Sequence, residues 1–270
     1  MKLSEALEYG KKHTSRRNAV YLLCSLGGFS TEDVYLRNEL EVTDESFGIY
    51  MEKIHRLSNG EPLQYVLGKW DFCGLEFLTD ERALVPRPET ELLVEAVLGS
   101  IKGKEGLDIL DVCTGSGCVG LSVAKLADSK HNVSLADISQ EALELAAENR
   151  KLLGLEYGVS LYLSDLLDHV PGEFDVIVSN PPYLTKTDME SLPDNVRKFE
   201  PHLALDGGTD GLAIYKRLVP QSYARLRPGG TLFLEIGPPG VVEIAESIGF
   251  RNIEIIKDYA HFDRILQGVK

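Results

Sequence analysis

From Leu107 onward the chain alternates short apolar runs with stretches of helical period, and that alternation leaves few folds open. The runs at 107–112, 132–136, 159–163, 174–179 and 231–236 have strand length, and amphipathic stretches such as 139–153 lie between most of them. Parallel neighbours need a crossover between them, so this order predicts an α/β fold with a largely parallel sheet covered on both faces. The last pair, 250–257 and 264–267, is joined by too few residues for a crossover helix and reads as an antiparallel hairpin. With 43% hydrophobic and 26% charged residues, the composition is that of a globular protein, which excludes disorder and fibrous repeats.

Residues 1–68 read differently, as a small helical domain. Ser4 is placed to cap the first helix, and Ser30 with Asp33 resembles an N-cap and its acidic partner. Asp44 can start a helix carrying Phe47, Tyr50, Met51, Ile54 and Leu57, which Asn59-Gly60 ends. Aromatic and apolar residues then alternate around Gly74, predicting a β-hairpin. The expected organisation is a helical domain over 1–68, a hairpin linker over 69–84 and a catalytic domain over 85–270.

Four cysteines are too few for a disulfide scaffold, and the six histidines are scattered singly, so no metal site is expected. Basic residues before the apolar stretch 19–29 superficially resemble a signal peptide. Glu5 and Glu8 interrupt that basic region, however, and no small-residue cleavage site follows. No segment reaches the roughly 18 apolar residues of a membrane span. The expectation is a cytoplasmic protein. Its net charge is −14, from 28 Lys+Arg against 42 Asp+Glu. Residues 1–75 hold 9 basic and 11 acidic side chains, leaving 19 and 31 for the remainder. The acidity therefore lies on the α/β part, which argues against a nucleic-acid groove there.

Chemistry is carried at the ends of four successive strands. Asp111-Val-Cys-Thr-Gly-Ser-Gly-Cys-Val-Gly120 follows the first strand and opens a helix, where glycines let a ligand approach backbone N–H groups. Gly115, Gly117 and Gly120 formally satisfy a dinucleotide fingerprint, and Asp137 ends the next strand, where an acid can hold ribose hydroxyls. Asp165 follows the third strand and could receive an adenine amino group, or act as a local turn cap. The decisive element is Asn180-Pro181-Pro182-Tyr183 after the fourth strand, since two prolines fix the backbone and leave carbonyls without a local partner.

Together these segments resemble a class I S-adenosylmethionine-dependent methyltransferase acting on a planar amide or amino nitrogen. Further stretches narrow the resemblance: Pro62-Leu-Gln-Tyr-Val-Leu-Gly68, Val85-Pro-Arg-Pro-Glu-Thr-Glu91, Phe199-Glu-Pro, Leu205-Asp-Gly-Gly-Thr-Asp-Gly-Leu212 and Leu234-Glu-Ile-Gly237. All are similar to the PrmC/HemK family, whose members methylate the glutamine of the Gly-Gly-Gln motif in class I peptide chain release factors. The resemblance covers most of the chain from Pro62 onward. It implies a Rossmann-like, mostly parallel seven-stranded sheet with an antiparallel last strand, S-adenosylmethionine as cofactor and a release factor as protein partner, with no direct nucleic acid and no membrane. Cys113 departs from the family's usual glycine, and Asp258-Tyr-Ala-His-Phe-Asp-Arg264 matches its terminal motif only in part.

By that resemblance the cofactor lies across Cys113, Thr114, Gly115, Ser116 and Gly117, with Asp137 on the ribose, Asp165 and Leu166 near the adenine, and Asn180 beside it. The Asn180 side-chain oxygen and the Pro181 carbonyl would each accept one N–H of the substrate amide. Tyr183 would pack against that amide, with Pro182 shaping the same loop. Arg87 and Glu89 are weaker substrate-site candidates. Glu235 reads equally as a functional acid or a satisfied strand-end acid. Residues 184–206 lack periodicity and are expected to form a long loop over the substrate. Rival readings are an amino-methyltransferase of nucleic acid, a methyltransferase for a ribosomal-protein glutamine, a dehydrogenase resting on the three glycines, and a silent adaptor.

Overall fold

The computed structural model describes residues 1–26, 28–37 and 39–270 and divides into two compact units. One comprises residues 1–69 together with 194–199; the other comprises 70–193 and 200–270.

The first unit holds α1 (Leu3–His13), α2 (Arg16–Ser25), α3 (Thr31–Leu36), α4 (Asp44–Ser58) and α5 (Leu63–Leu67). Its core gathers Leu3, Leu7, Leu22, Leu23, Val34, Tyr50, Ile54 and Val66, an apolar stripe from each helix. Ser30 and Asp33 form the expected capping box, their side chains satisfying each other's backbone N–H. The first helix differs from expectation. It starts one residue ahead of Ser4, and Glu5 reaches back to the Lys2 backbone N–H at 2.8 Å. An acid three residues on supplies the cap that the serine was expected to provide.

The hairpin of β1 (Lys69–Phe72) and β2 (Leu75–Leu78), joined by Cys73 and Gly74, both at positive φ, leads into the second unit, which begins at Trp70. Two left-handed residues in a two-residue turn match the right-handed twist of the strands they join. Then follow α6 (Pro88–Ile101), β3 (Asp108–Val112), α7 (Cys118–Leu126), β4 (Asn132–Asp137), α8 (Gln140–Leu152), β5 (Val159–Leu163) and β6 (Phe174–Ser179). The chain continues through α9 (Lys186–Ser191), α10 (Asp194–Phe199), which is part of the first unit, α11 (Tyr215–Arg225), β7 (Leu226–Glu235), α12 (Val241–Ile248), β8 (Arg251–Lys257) and β9 (Asp263–Val269).

Seven strands form one sheet in the order β5-β4-β3-β6-β7-β9-β8, parallel from β5 to β7 with β9 antiparallel beside β7. Ile109 and Leu110, adjacent in β3, enter cores on opposite faces, one against α6 and α7, the other against α11 and α12. Each central strand is thus apolar on both sides, which is why it reads as an unbroken run. The register aligns Val112 with Ala136 and Ser179, and Ser179 with Leu234. The residues that follow these positions emerge together at one edge of the sheet, where the strand order reverses between β3 and β6.

The expected long loop over 184–206 is corrected by the structure. Thr185 and Asp188 form a capping box that starts α9, and Asp194 opens α10. Helices of six residues show no amphipathic repeat, so periodicity passes over them.

Candidate active site

The strand ends surround a cavity of about 300 Å³. Its floor is the turn after β3, where Cys113, Gly115 and Gly117 all take positive φ. Buried Asp111 holds this turn from behind: its Oδ2 accepts the Thr114 hydroxyl at 2.6 Å and the Gly120 N–H at 2.9 Å. Burial pushes the Asp111 acid up to about 7 against those two bonds. Asp137, at the end of β4, accepts Gly115 N–H at 2.8 Å and Ser139 N–H at 2.9 Å, while Ser139 caps α8. Burial raises the Asp137 acid, and the backbone amides oppose that rise. The Asn149 side chain, fully buried on α8, accepts Leu78 N–H at 2.7 Å and donates to the carbonyls of Leu78 and Ser116 at 3.2 and 3.0 Å. That one amide joins β2 to the glycine turn.

Cys113, Thr114, Gly115, Ser116, Asp137, Asp165, Leu166, Asn180, Pro182 and Arg87 all line the cavity. Gly117 lies just behind its wall, as the left-handed cap of α7, and neither Pro181 nor Tyr183 lines it. Asp165 is paired with Arg217 at 2.7 Å, so its carboxylate is already partly engaged. Arg87 is committed too: its guanidinium reaches both oxygens of buried Glu200 at 2.7 and 2.8 Å. Glu89 is exposed and lies outside the lining. The donor set suits an S-adenosyl group. The acid Asp137 and the apolar Ile138, Val119 and Leu166 share the cavity lining, and the buried Ser116 hydroxyl lacks a partner among the described residues.

Asn180 stands at the mouth of β6. Its Nδ2 donates to Thr90 Oγ1 at 3.1 Å, and the Thr90 hydroxyl donates to Glu235 Oε2 at 2.7 Å. Among the described residues, no group donates to Asn180 Oδ1 or to the Pro181 carbonyl. Tyr183 is gripped by glycines. A methyl group on Gly207 would stand 2.6 Å from its Cα, one on Gly211 2.5 Å from its carbonyl oxygen, and one on Gly237 2.4 Å from its ring. Leu184 pairs with Asp206, closing the segment between them into a loop with adjacent ends.

Thr90, Glu200, Asp111 and Asn149 emerge here as site residues beyond those singled out in the sequence. The first three sit inside motifs already quoted, so their signal was present without a role attached. Asn149, inside an otherwise ordinary amphipathic helix, gave none.

Comparison with known proteins gives the family and the fold. Residues 88–199 match the methyltransferase small domain model, and residues 2–68 match the PrmC N-terminal domain model. A release factor glutamine methyltransferase of Clostridium acetobutylicum is 40% identical over 238 residues, covering 86% of this chain and 83% of that one. The one of Koribacter versatilis is 37% identical, covering 100% and 99%. Among solved structures, a methyltransferase from Pyrococcus furiosus (TM-score 0.53, 20% identity, 74% of this chain and 90% of that one) shares the fold. So does a T. thermophilus 16S rRNA methyltransferase in complex with AdoMet and guanosine (TM-score 0.55, 21% identity, 75% and 49%). On the strength of the near full-length relatives, the chain belongs to the release factor glutamine methyltransferase family.

Proposed function

We propose that this protein transfers a methyl group from S-adenosylmethionine to the side-chain amide nitrogen of the glutamine in the Gly-Gly-Gln motif of class I peptide chain release factors. The observation that carries the reading is the pair of unengaged acceptors, Asn180 Oδ1 and the Pro181 carbonyl, at the edge of a cavity suited to the cofactor. When bound there, S-adenosylmethionine supplies an electrophilic methyl group. The amide nitrogen is a poor nucleophile, because its lone pair is shared with the carbonyl. Two acceptors, one for each N–H, orient that nitrogen and favour the positive charge that develops on it. Tyr183 lays its ring against the planar amide, where an aromatic face suits the same charge. No dedicated general base is assigned. Cys113, Thr114, Gly115, Ser116 and Asp137 hold the cofactor, with Gly117 shaping the turn behind them and Asp165 and Leu166 toward its base. Arg87 acts through Glu200 rather than on the substrate, and Glu89 is the weakest member of the set.

In this reading residues 1–68 grip the protein substrate, 69–84 form the hairpin linker and 85–270 carry the chemistry. The surplus of acidic residues after position 75 supports a protein partner over nucleic acid. No helix among the described residues is long and apolar enough to cross a membrane, and we place the reaction in the cytoplasm.

The test is transfer of labelled methyl to a purified release factor and to its Gly-Gly-Gln variant with glutamine replaced by alanine. Label is expected in the first alone; label in both, or in neither, refutes the assignment. Asn180→Ala is expected to lower transfer at least about 100-fold while cofactor affinity stays within a few-fold. Near-normal turnover by that variant would sink the amide clamp.

A further inference from the structure

Glu235 is a buried acid that does not line the cavity. Its Oε2 takes the only hydrogen of the Thr90 hydroxyl, and Thr90 is itself 2% exposed. A hydroxyl whose hydrogen is spent has only lone pairs to offer, so the neighbouring Asn180 side chain must turn its NH₂ inward. We propose that Glu235 is a positioning residue which, through Thr90, fixes the polarity of the Asn180 amide so that its outward end is an acceptor matched to the substrate N–H. The inference rests on the glutamine reading above and assigns the buried acid behind it.

The opposite arrangement is chemically available. A protonated Glu235 can donate to Thr90, whose own hydrogen then points at Asn180. The asparagine would flip and present NH₂ to the substrate NH₂, two donors facing each other. Burial pushes the Glu235 acid up to about 7, so the choice between the two networks falls within the range of an assay. The charged and titratable groups that bear on it are Arg264 on β9, Arg87 and Glu89 at the head of α6, Tyr183 in the proline loop, Tyr215 on α11 and Cys118 on α7. Arg264 is anchored by Asp258 at 2.8 Å, and it opposes the rise that burial imposes.

The test compares methyl transfer to full-length release factor by the wild type, Thr90→Val, Thr90→Ser and Glu235→Gln, with cofactor affinity and melting temperature read on each. Val keeps the shape and removes the hydroxyl. Its kcat is expected to fall about 10- to 100-fold. Because Thr90 lines the cavity and Val fills the same space, cofactor Kd should move only a few-fold, and KM less than kcat. Ser is expected to recover most of the loss. The wild-type kcat is expected to fall as pH drops from 8 to 6, and the Glu235→Gln profile to be flat over that range. Wild-type kcat in Thr90→Val, or the same pH profile in wild type and Glu235→Gln, would overturn the relay while leaving the methyltransferase reading intact. Should a variant not fold, a wild-type kcat that stays flat from pH 6 to 8 overturns it alone. Absence of label in the wild-type reaction overturns the functional reading and this inference with it.

Discussion

Replacing Gly237 with alanine places a methyl group 2.4 Å from Cδ2 and 2.7 Å from Cε2 of the Tyr183 ring. Ordinary contact begins near 3.4 Å, so one partner must retreat by about 1 Å. The end of β7 cannot give easily. The Tyr215 hydroxyl donates to the Glu235 carbonyl at 2.7 Å, and Ile236 N–H donates to the Arg264 carbonyl at 2.8 Å. The Tyr183 backbone is equally confined, with Gly207 and Gly211 already pressed against it. The ring is left to swing away from the amide it is proposed to cover. Misplacement of about 1 Å costs on the order of 100-fold in rate, equivalent to about 2.7 kcal/mol of barrier. Overpacking should take about 1–3 kcal/mol from stability. Gly237 does not line the cavity, so cofactor affinity is expected to hold. Steady-state methyl transfer, calorimetric titration of cofactor and chemical denaturation on one preparation separate the three effects. A kcat within twofold of wild type would show that the ring's position does not matter to the chemistry.

Two further outcomes concern stability. Burial raises the Asp111 acid from its ordinary 3.8 to about 7, so the folded chain holds a proton that the unfolded chain has lost between those values. Its contribution to stability is therefore greatest below pH 4 and declines as pH rises toward 7. Asp111→Asn keeps an acceptor for Thr114 and Gly120, and it should flatten that decline by roughly 2–4 kcal/mol; an unchanged slope in denaturant titrations from pH 4 to 7 refutes this. Arg82 forks onto both Asp80 and Glu148 at 2.7–3.1 Å. Arg82→Ala is expected to cost about 1 kcal/mol at low salt and less in 1 M salt, and a loss indifferent to salt would point to packing instead.

The α/β frame was legible because each central strand is apolar on both faces, and because too little chain separates the last two strands for a helix. The place of Asn180 was legible for the same reason: it follows a run that can only be a buried strand. What escaped the sequence is what long-range contact decides. Glycines 207, 211 and 237 were visible, but the tyrosine that needs their bareness lies far back along the chain. Thr90 and Glu235, 145 positions apart, gain a shared role only when α6 crosses the end of β7. Arg87 was legible as a substrate candidate, but its ion pair was not, because Glu200 sits 113 residues later. The helices α9 and α10 were hidden by their shortness, although the Thr185 and Asp188 pair was there to be read.

The Asn149 amide carries a consequence for how the unit behaves as a whole. Its three bonds tie the hairpin strand to the glycine turn, so neither can shift without stretching or breaking a bond to a fully buried amide. Removing that amide would leave the Leu78 N–H and the Leu78 and Ser116 carbonyls without their common partner, so strand and turn would loosen together.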